Sequence, residues 1–497
     1  MNMEKLVIIG AGIAGLTAGV YGRLNGFDTE IYEMHSLPGG ECTGWKRGEY
    51  YFDGCIHWMM GTKPGAPMHD IWQDTGALDN SVEILIQDVF FELELGGVTV
   101  KLYRSVDKLE RHLLEIAPED AAQIRSFCRD VRAFSRLQMP TDKPYDMFGA
   151  ADGIKMGVKM LPMMGLMKKY GAITVTELAK TFRNDAIRSA LLHFMPEQYT
   201  AMSLMATLAS MDAGDSGFPR GGSLAVARRM EQRYLALGGK VHYRARVAEI
   251  TVENGRATGI RLQDGTYVPA DHVVSCADGY STVYSLLGGQ YVSDEIRRLF
   301  SDPKNYPTYT TVQVSLGVGC DLSARPSMLI TQAEPIDAGG IVNDVIGFKN
   351  YCFDSTIVPQ GKSVVTSTLT ADFDWWKAKK ADADTYRREK ERIAAQVTAT
   401  LEQLYPETKG KVEQVDVATP MTYVRYCDAW RGAWMSFMVT PGQKIRYLPG
   451  NLPGLERFHL AGQWALPPGG LPGAALTGRW VIQRLCKNAG KEFTTKA

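Results

Sequence analysis

The residues whose types and spacing specify chemistry most sharply are three glycines and an acid near the start of the sequence. Gly10, Gly12 and Gly15 follow the apolar run Leu6–Ile9 in the spacing G-x-G-x-x-G, with Ala14 inside the turn. Glu33 follows a second short strand-like run, Thr29–Tyr32. Gly10 permits a tight turn out of a strand, and Gly12 lets backbone N–H groups approach a pyrophosphate. Gly15 lets the next helix pack closely on the sheet, its positive N-terminus toward the phosphates. Glu33 stands where a carboxylate accepts hydrogen bonds from a ribose hydroxyl. Glycine-rich turns alone are common, but strand, glycines, helix and acid in this order specify a bound dinucleotide.

A second glycine-rich element lies at the other end of the chain. A strand-like run ends in Ala461-Gly462, and a loop through Pro467–Pro472 opens a helix, which offers a second helix N-terminus. A soluble nicotinamide needs no such element, whereas a flavin must be held along its whole length. Gly317 and Gly319 lack the third glycine and the helix, so no second dinucleotide-binding domain is expected. His57 is the best proton donor or acceptor, because histidine titrates near neutral pH. The alternative for His57 is a structural histidine after Asp53. His193, Glu197 and Tyr199 are candidates for a substrate channel, or else the solvated end of a helix.

The elements that must position these residues are read from pattern and punctuation. The chain has 497 residues, 45% of them hydrophobic, enough for two or three packed units. Basic and acidic residues balance at 55 each, which gives no nucleic-acid footprint. Eight cysteines without a C-x-x-C pair argue against zinc and for reduced thiols, so no metal site is expected. The first apolar run is broken by glycines and lacks a charged leader, so no secretory signal is expected. No run of eighteen apolar residues offers a membrane span. A cytoplasmic protein is expected, with peripheral membrane contact left open.

Strands are predicted over Tyr50–Phe52, Thr308–Leu316, Asp344–Tyr351 and Ser363–Thr370, with a hairpin over Val89–Tyr103 turned at Gly96-Gly97. Helices are predicted over Ser105–Leu137, with Leu109, Leu113 and Ile116 on one face, and within Pro219–Gly239. A third, Asp384–Leu404, reads as a solvated amphipathic surface. Met156, Met160, Met163, Met164 and Met167 fall on one helical face, interrupted by Pro162 and flanked by lysines. Such a face is core filler, a pliable wall around a long apolar ligand, or a helix dipping into a membrane. The fold class is α/β, a Rossmann-type dinucleotide-binding domain interleaved with an α+β substrate domain. The first comprises residues 1–88, 218–290 and 440–497. The second comprises 89–217, Met-rich and open to a membrane-facing role, and 291–439.

The two ends and the motifs between them carry a family resemblance. Gly10-x-Gly12-x-x-Gly15 with Glu33, Pro38-Gly39-Gly40, Phe52-Asp53, Pro219-Arg220-Gly221-Gly222, ATPMTYVRY at Ala418–Tyr426 and AGQWALPPGGLPGAALTG at Ala461–Gly478 occur in order. Over nearly its whole length the chain resembles the phytoene desaturase, carotenoid isomerase and retinol saturase group of flavoproteins. The resemblance implies a fold of the glutathione reductase and amine oxidase kind, with FAD as cofactor. It places Gly10, Gly12, Ala14, Gly15 and Glu33 on the ADP half, joined by Gly39 and Gly40. Val247 would meet the adenine with its backbone, and Gly462 with Gly470, Leu471, Pro472 and Gly473 would hold the flavin end. It also places Tyr426, with Tyr423 behind it, beside the flavin, as a residue that orients substrate or serves as an acid. Two departures stand out: Glu41 where the group often has Arg or Ser, and bulky Cys55-Ile56-His57-Trp58 where small residues are usual. The implied activity is desaturation, saturation or isomerisation of a C–C bond in a hydrophobic isoprenoid or lipid. The electron partner stays open among NAD(P)H, quinone and oxygen. One alternative is an amine-oxidase-like enzyme, for which Lys349 is the only interior lysine candidate. Another is a non-catalytic binder of prenylated proteins, as in Rab GDP-dissociation inhibitors.

Overall fold

The strand Lys5–Ile9 is buried on both faces, which explains its continuous rather than alternating apolar run. It lies at the centre of a five-stranded parallel sheet. The order is Phe458–Leu460, His272–Ser275, Lys5–Ile9, Asp28–Tyr32 and Lys240–His242. The structure, a computed structural model, describes residues 3–136, 141–442 and 448–496. Leu137, the end of one predicted helical stretch, lies outside the described residues. The helices Ile13–Leu24 and Gly470–Asn488 cross closely on one face of the sheet. A Cβ at Gly478 would stand 2.4 Å from the Ala14 carbonyl oxygen, so only glycine allows that approach. A third helix, Gly222–Ala236, opens on the left-handed Gly221 and packs through Tyr234, whose hydroxyl donates to the Thr29 carbonyl (2.8 Å).

A second, seven-stranded sheet runs in the order Val412–Ala418, Thr311–Val318, Ser363–Thr370, Val342–Asn350, Met328–Asp337, Val89–Leu95 and Val98–Tyr103. All pairs are antiparallel except Met328–Asp337 with Val89–Leu95. The predicted hairpin turns at Gly96-Gly97, both with positive φ. Two strands of this sheet carry no clear signal in the sequence. Met328–Asp337 contains Pro335, at a shift of register between Gln332 and Ile336, and Val412–Ala418 is a half-exposed edge. The helix Ala383–Leu404 is solvated on one side only; Ile393, Val397 and Leu401 are fully buried at spacings of four.

The helices Val106–Ile116, Ala121–Phe134 and Ala201–Asp212 share a core with the hairpin. The methionine face is kept at four of its five positions: Met156, Met160, Met163 and Met167 lie on the less exposed side, and Met164 alone departs from it. Pro162 offers no amide to the helical ladder, and the helix Ala150–Met160 passes through a 3₁₀ turn, Leu161–Met163, before resuming at Met164–Gly171. The spacing of buried positions carries through the turn, with Met163 buried while Met164 is exposed. The exposed stripe is Ile154, Val158, Leu161 and Met164, at 70, 70, 67 and 57% exposure. Among the described residues no helix is long and apolar enough to cross a membrane.

Candidate functional site

A cavity of about 1460 Å³ runs from the carboxyl ends of the parallel strands, at Ile9, Tyr32 and Cys276, to the inner face of the larger sheet, at Gln313 and Ile330. It exceeds the roughly 300–1,000 Å³ of an ordinary ligand site, and it occupies the crevice where open α/β sheets bind ligands.

One end is built of glycine. Gly10 has φ of 95°, and a Cβ at Gly15 would stand 1.9 Å from the Gly10 carbonyl oxygen. Gly12 caps the helix Ile13–Leu24 with no side-chain acceptor and no acid in the first turn. The Gly39 amide donates to the Ala11 carbonyl (2.9 Å), and its φ of 109° turns the chain so that Gly40 borders the cavity. Ala14 and Val247 are buried and border it as well. Glu33 accepts hydrogen bonds from the amides of Ala11 and His35, both at 2.7 Å. Burial nonetheless raises its carboxyl above the usual range. Across the cavity, Gly462 donates its amide to Thr477 Oγ1 (2.9 Å). The helix Gly470–Asn488 opens at Gly469, again with no side-chain cap and no acid. Gly470, Leu471 and Pro472 border the cavity; Gly473 lies behind them, against Leu466. Two long helix N-termini thus face one cavity with their amides uncapped. That arrangement fits a diphosphate and a flavin, and hence FAD, when bound.

Past the glycines the wall turns aromatic. Trp58 meets Phe90 edge to face (5.3 Å between ring centres), and Phe194 packs against both Phe90 and Phe91. His57 projects into this space. The side chain is exposed to the cavity, and enclosure deep within the fold with the nearby charge of Lys349 pushes its imidazole down to about 3. Tyr426 is 41% exposed and packs edge-on against His35 (5.0 Å), near Glu33. Its neighbour Tyr423 instead faces Thr311, Glu41 and Cys55, and burial raises its phenol. Both tyrosines border the cavity, and Tyr423 is the one that faces Cys55, two residues from His57. Of the channel candidates, Tyr199 is buried while His193 and Glu197 are exposed, and all three border the cavity.

Charged groups complete the site; the sequence points to Asp53, Glu41 and Lys349 but not to Arg104. Asp53 accepts from the Ser223 amide (2.6 Å) and hydroxyl (2.7 Å), holding the start of the helix Gly222–Ala236. Opposite it, Lys349 is buried, donates Nζ to the Ile56 carbonyl (2.7 Å) and is lowered to about 8, chiefly by burial. Glu41 accepts from Gln463 Nε2 (3.3 Å), which ties the two glycine-rich loops together. Burial, with Asp278 adding to it, raises the Glu41 carboxyl to about 8. Arg104 also borders the cavity. The motif pairs Phe52-Asp53 and Gly221-Gly222 signal the Asp53 contact in retrospect; nothing in the sequence pattern signals Arg104.

A profile of the family described as flavin-containing amine oxidoreductase matches residues 13–485. The chloroplastic prolycopene isomerase of Daucus carota is 22% identical, covering 98% of this chain and 80% of its own length. The lycopene-forming phytoene desaturase of a Paracoccus species is 24% identical over 97% of both chains. Among solved structures, an oxidoreductase from Methanosarcina mazei superposes with a TM-score of 0.60 at 16% identity, covering 96% of this chain and 100% of its own. Putrescine oxidase bound to putrescine superposes at 0.60 and 12% identity, covering 98% and 99%.

Proposed function

The chain belongs to the flavin-containing amine oxidoreductase family and is an FAD-dependent oxidoreductase, and from that premise we propose that it acts on a C–C bond of an unsaturated isoprenoid or lipid. Bound FAD supplies hydride transfer to or from a substrate carbon. The residues of this chain do the rest. Trp58, Phe90, Phe91 and Phe194 exclude water and hold an extended apolar chain against the cofactor end of the cavity. Neutral His57 offers one hydrogen-bond donor or acceptor, and Tyr423 orients the bound chain. The observation that carries the reading is the continuity of the aromatic wall with the two glycine-lined helix starts in one cavity.

Anaerobic titration of the holoprotein tests it. Holoprotein with oxidised flavin, and holoprotein reduced by dithionite or NAD(P)H, are each offered unsaturated isoprenoid lipids, with quinone as electron acceptor in separate arms, and the lipids are then analysed by chromatography. Any gain, loss or shift of a C–C double bond supports the proposal. Lipids recovered unchanged, with the flavin turning over only on other substrates, would sink it. A second reading, amine oxidation, draws on the buried Lys349. The positive charges of Lys349 and Arg104 repel an ammonium group, which weighs against it; rapid flavin bleaching by simple amines would favour it.

The stripe Ile154, Val158, Leu161 and Met164, flanked by Lys155, Lys159 and Lys168, supports peripheral membrane contact. An apolar substrate dissolved in a bilayer would then enter without crossing water. Flotation with anionic vesicles tests this, and protein left wholly in the aqueous fraction would exclude it.

A further inference from the structure

One buried arginine faces the aromatic chamber with no acid to meet it. Arg104 follows the strand Val98–Tyr103 and is only 6% exposed. Its amide donates to the Asp88 carbonyl (3.0 Å), and Nη1 donates to the Ser216 carbonyl (2.8 Å). The guanidinium lies over the Phe90 ring, 5.3 Å from its centre, and its buried Nε has no acceptor. Among the described residues no carboxylate forms an ion pair with it. Burial alone acts on its charge and lowers its pKa to about 10, so it stays protonated at neutral pH. The buried lysine of the cavity, Lys349, is served differently: Asp53 opposes its charge and the Ile56 carbonyl accepts its hydrogen bond.

Water filling the cavity can solvate this guanidinium. An occupant that displaces the water must replace it, because a dry, unpaired cation is costly. A pure hydrocarbon cannot do so, whereas an acid can. The guanidinium fork is planar and matches a carboxylate in two parallel hydrogen bonds. A phosphate ester, with more charge to neutralise, would call for more than one such donor at the same place.

We infer that Arg104 anchors a terminal carboxylate, and that the substrate is an unsaturated isoprenoid or fatty acid rather than a hydrocarbon. The inference rests on the reading that the chamber holds an unsaturated lipid, and it names the polar end of that lipid. Phe90 would pack along the first carbons of the chain while the guanidinium above it holds the head.

Tryptophan-fluorescence quenching of the holoprotein by a conjugated polyenoic acid, its methyl ester, its alcohol and the corresponding alkyl phosphate tests it. The acid should bind about 10–100-fold more tightly than ester or alcohol, the range of a hydrogen bond to a charged group. R104Q should remove that preference and R104K should restore part of it. Equal binding of acid and ester by the unaltered protein would overturn the inference, as would tighter binding of the phosphate. So would an R104Q variant that weakens every ligand alike, the signature of a merely structural arginine. The panel on the unaltered protein decides even where R104Q fails to fold. Acid-selective binding without any C–C turnover would leave the subsite standing and sink the proposed reaction; turnover without acid preference would do the reverse.

Discussion

Glu41 makes the affinity for FAD depend on pH, and E41Q should remove the step that it causes. The carboxyl follows the turn Gly39-Gly40, borders the cavity and is tied to the far loop through Gln463. Burial and Asp278 hold it near 8, and the other titratable groups that face it, Tyr423 and Cys427, are themselves raised and neutral. With a pKa of about 8, roughly nine-tenths of the molecules carry a neutral Glu41 at pH 7 and about a tenth at pH 9. A pyrophosphate beside it tolerates the acid and repels the carboxylate. The apparent Kd for FAD should therefore rise about tenfold from pH 7 to pH 9, or about 1.4 kcal/mol. Linkage has the same sign in the unliganded protein. Its folded value lies above the ordinary 4.5, so the stability it contributes is full below pH 4.5 and lost as pH rises through about 8. Asp278, held up to about 7, ionises earlier, so a midpoint near 8 identifies Glu41. The assay is flavin-fluorescence titration of apoprotein from pH 6 to 9.5, with melting curves in parallel. E41Q should bind as the unaltered protein does at pH 7 and lose the step centred near 8, keeping only the smaller step near 7 that belongs to Asp278. A retained tenfold slope in E41Q, or a flat profile before mutation, would refute the reasoning.

Three other outcomes follow from the same geometry. Gly15→Ala sets a methyl 1.9 Å from a backbone oxygen that no rotamer change can move, so the cost should reach or exceed the upper end of the usual ~1–3 kcal/mol for overpacking. Differential scanning should show a fall of several degrees in Tm, with purified protein depleted of flavin; a yellow variant of normal Tm would contradict it. Replacing Ile154, Val158, Leu161 and Met164 by serine and glutamine should abolish vesicle flotation and leave Tm unchanged, because those side chains already face outward. His57, held near 3, carries no charge between pH 5 and 8, so H57Q should keep the shape of the pH–rate profile there while its height falls. Disappearance of a step near pH 6.5 in H57Q would show that the histidine titrates after all.

Where a position admits one residue type, its cause shows in the sequence. Gly15 must be glycine because of an oxygen 1.9 Å away, and Gly39 because its φ is 109° and a Cβ would meet the Cys42 carbonyl at 2.2 Å. Such positions are legible without a fold, and with them came the parallel sheet, both helix starts and the glycine-lined end of the cavity. Periodicity served even across the 3₁₀ turn at Pro162, where Met156, Met160, Met163 and Met167 stay on the less exposed side and only Met164 leaves it. The chamber beyond the flavin end is built otherwise. Arg104 meets Ser216 across 112 positions, Lys349 meets Ile56 across 293, and Glu41 meets Gln463 across 422. Arginine, lysine and glutamate are common at any surface, and only enclosure makes these three unusual. The cofactor is thus recorded in backbone constraints that exclude nineteen residue types at a time. The substrate is recorded in the solvation of a few ordinary charges, which has no trace in the sequence until the walls around them exist. For this reason the guanidinium of Arg104, rather than any motif, discriminates between a hydrocarbon and an acid in the chamber.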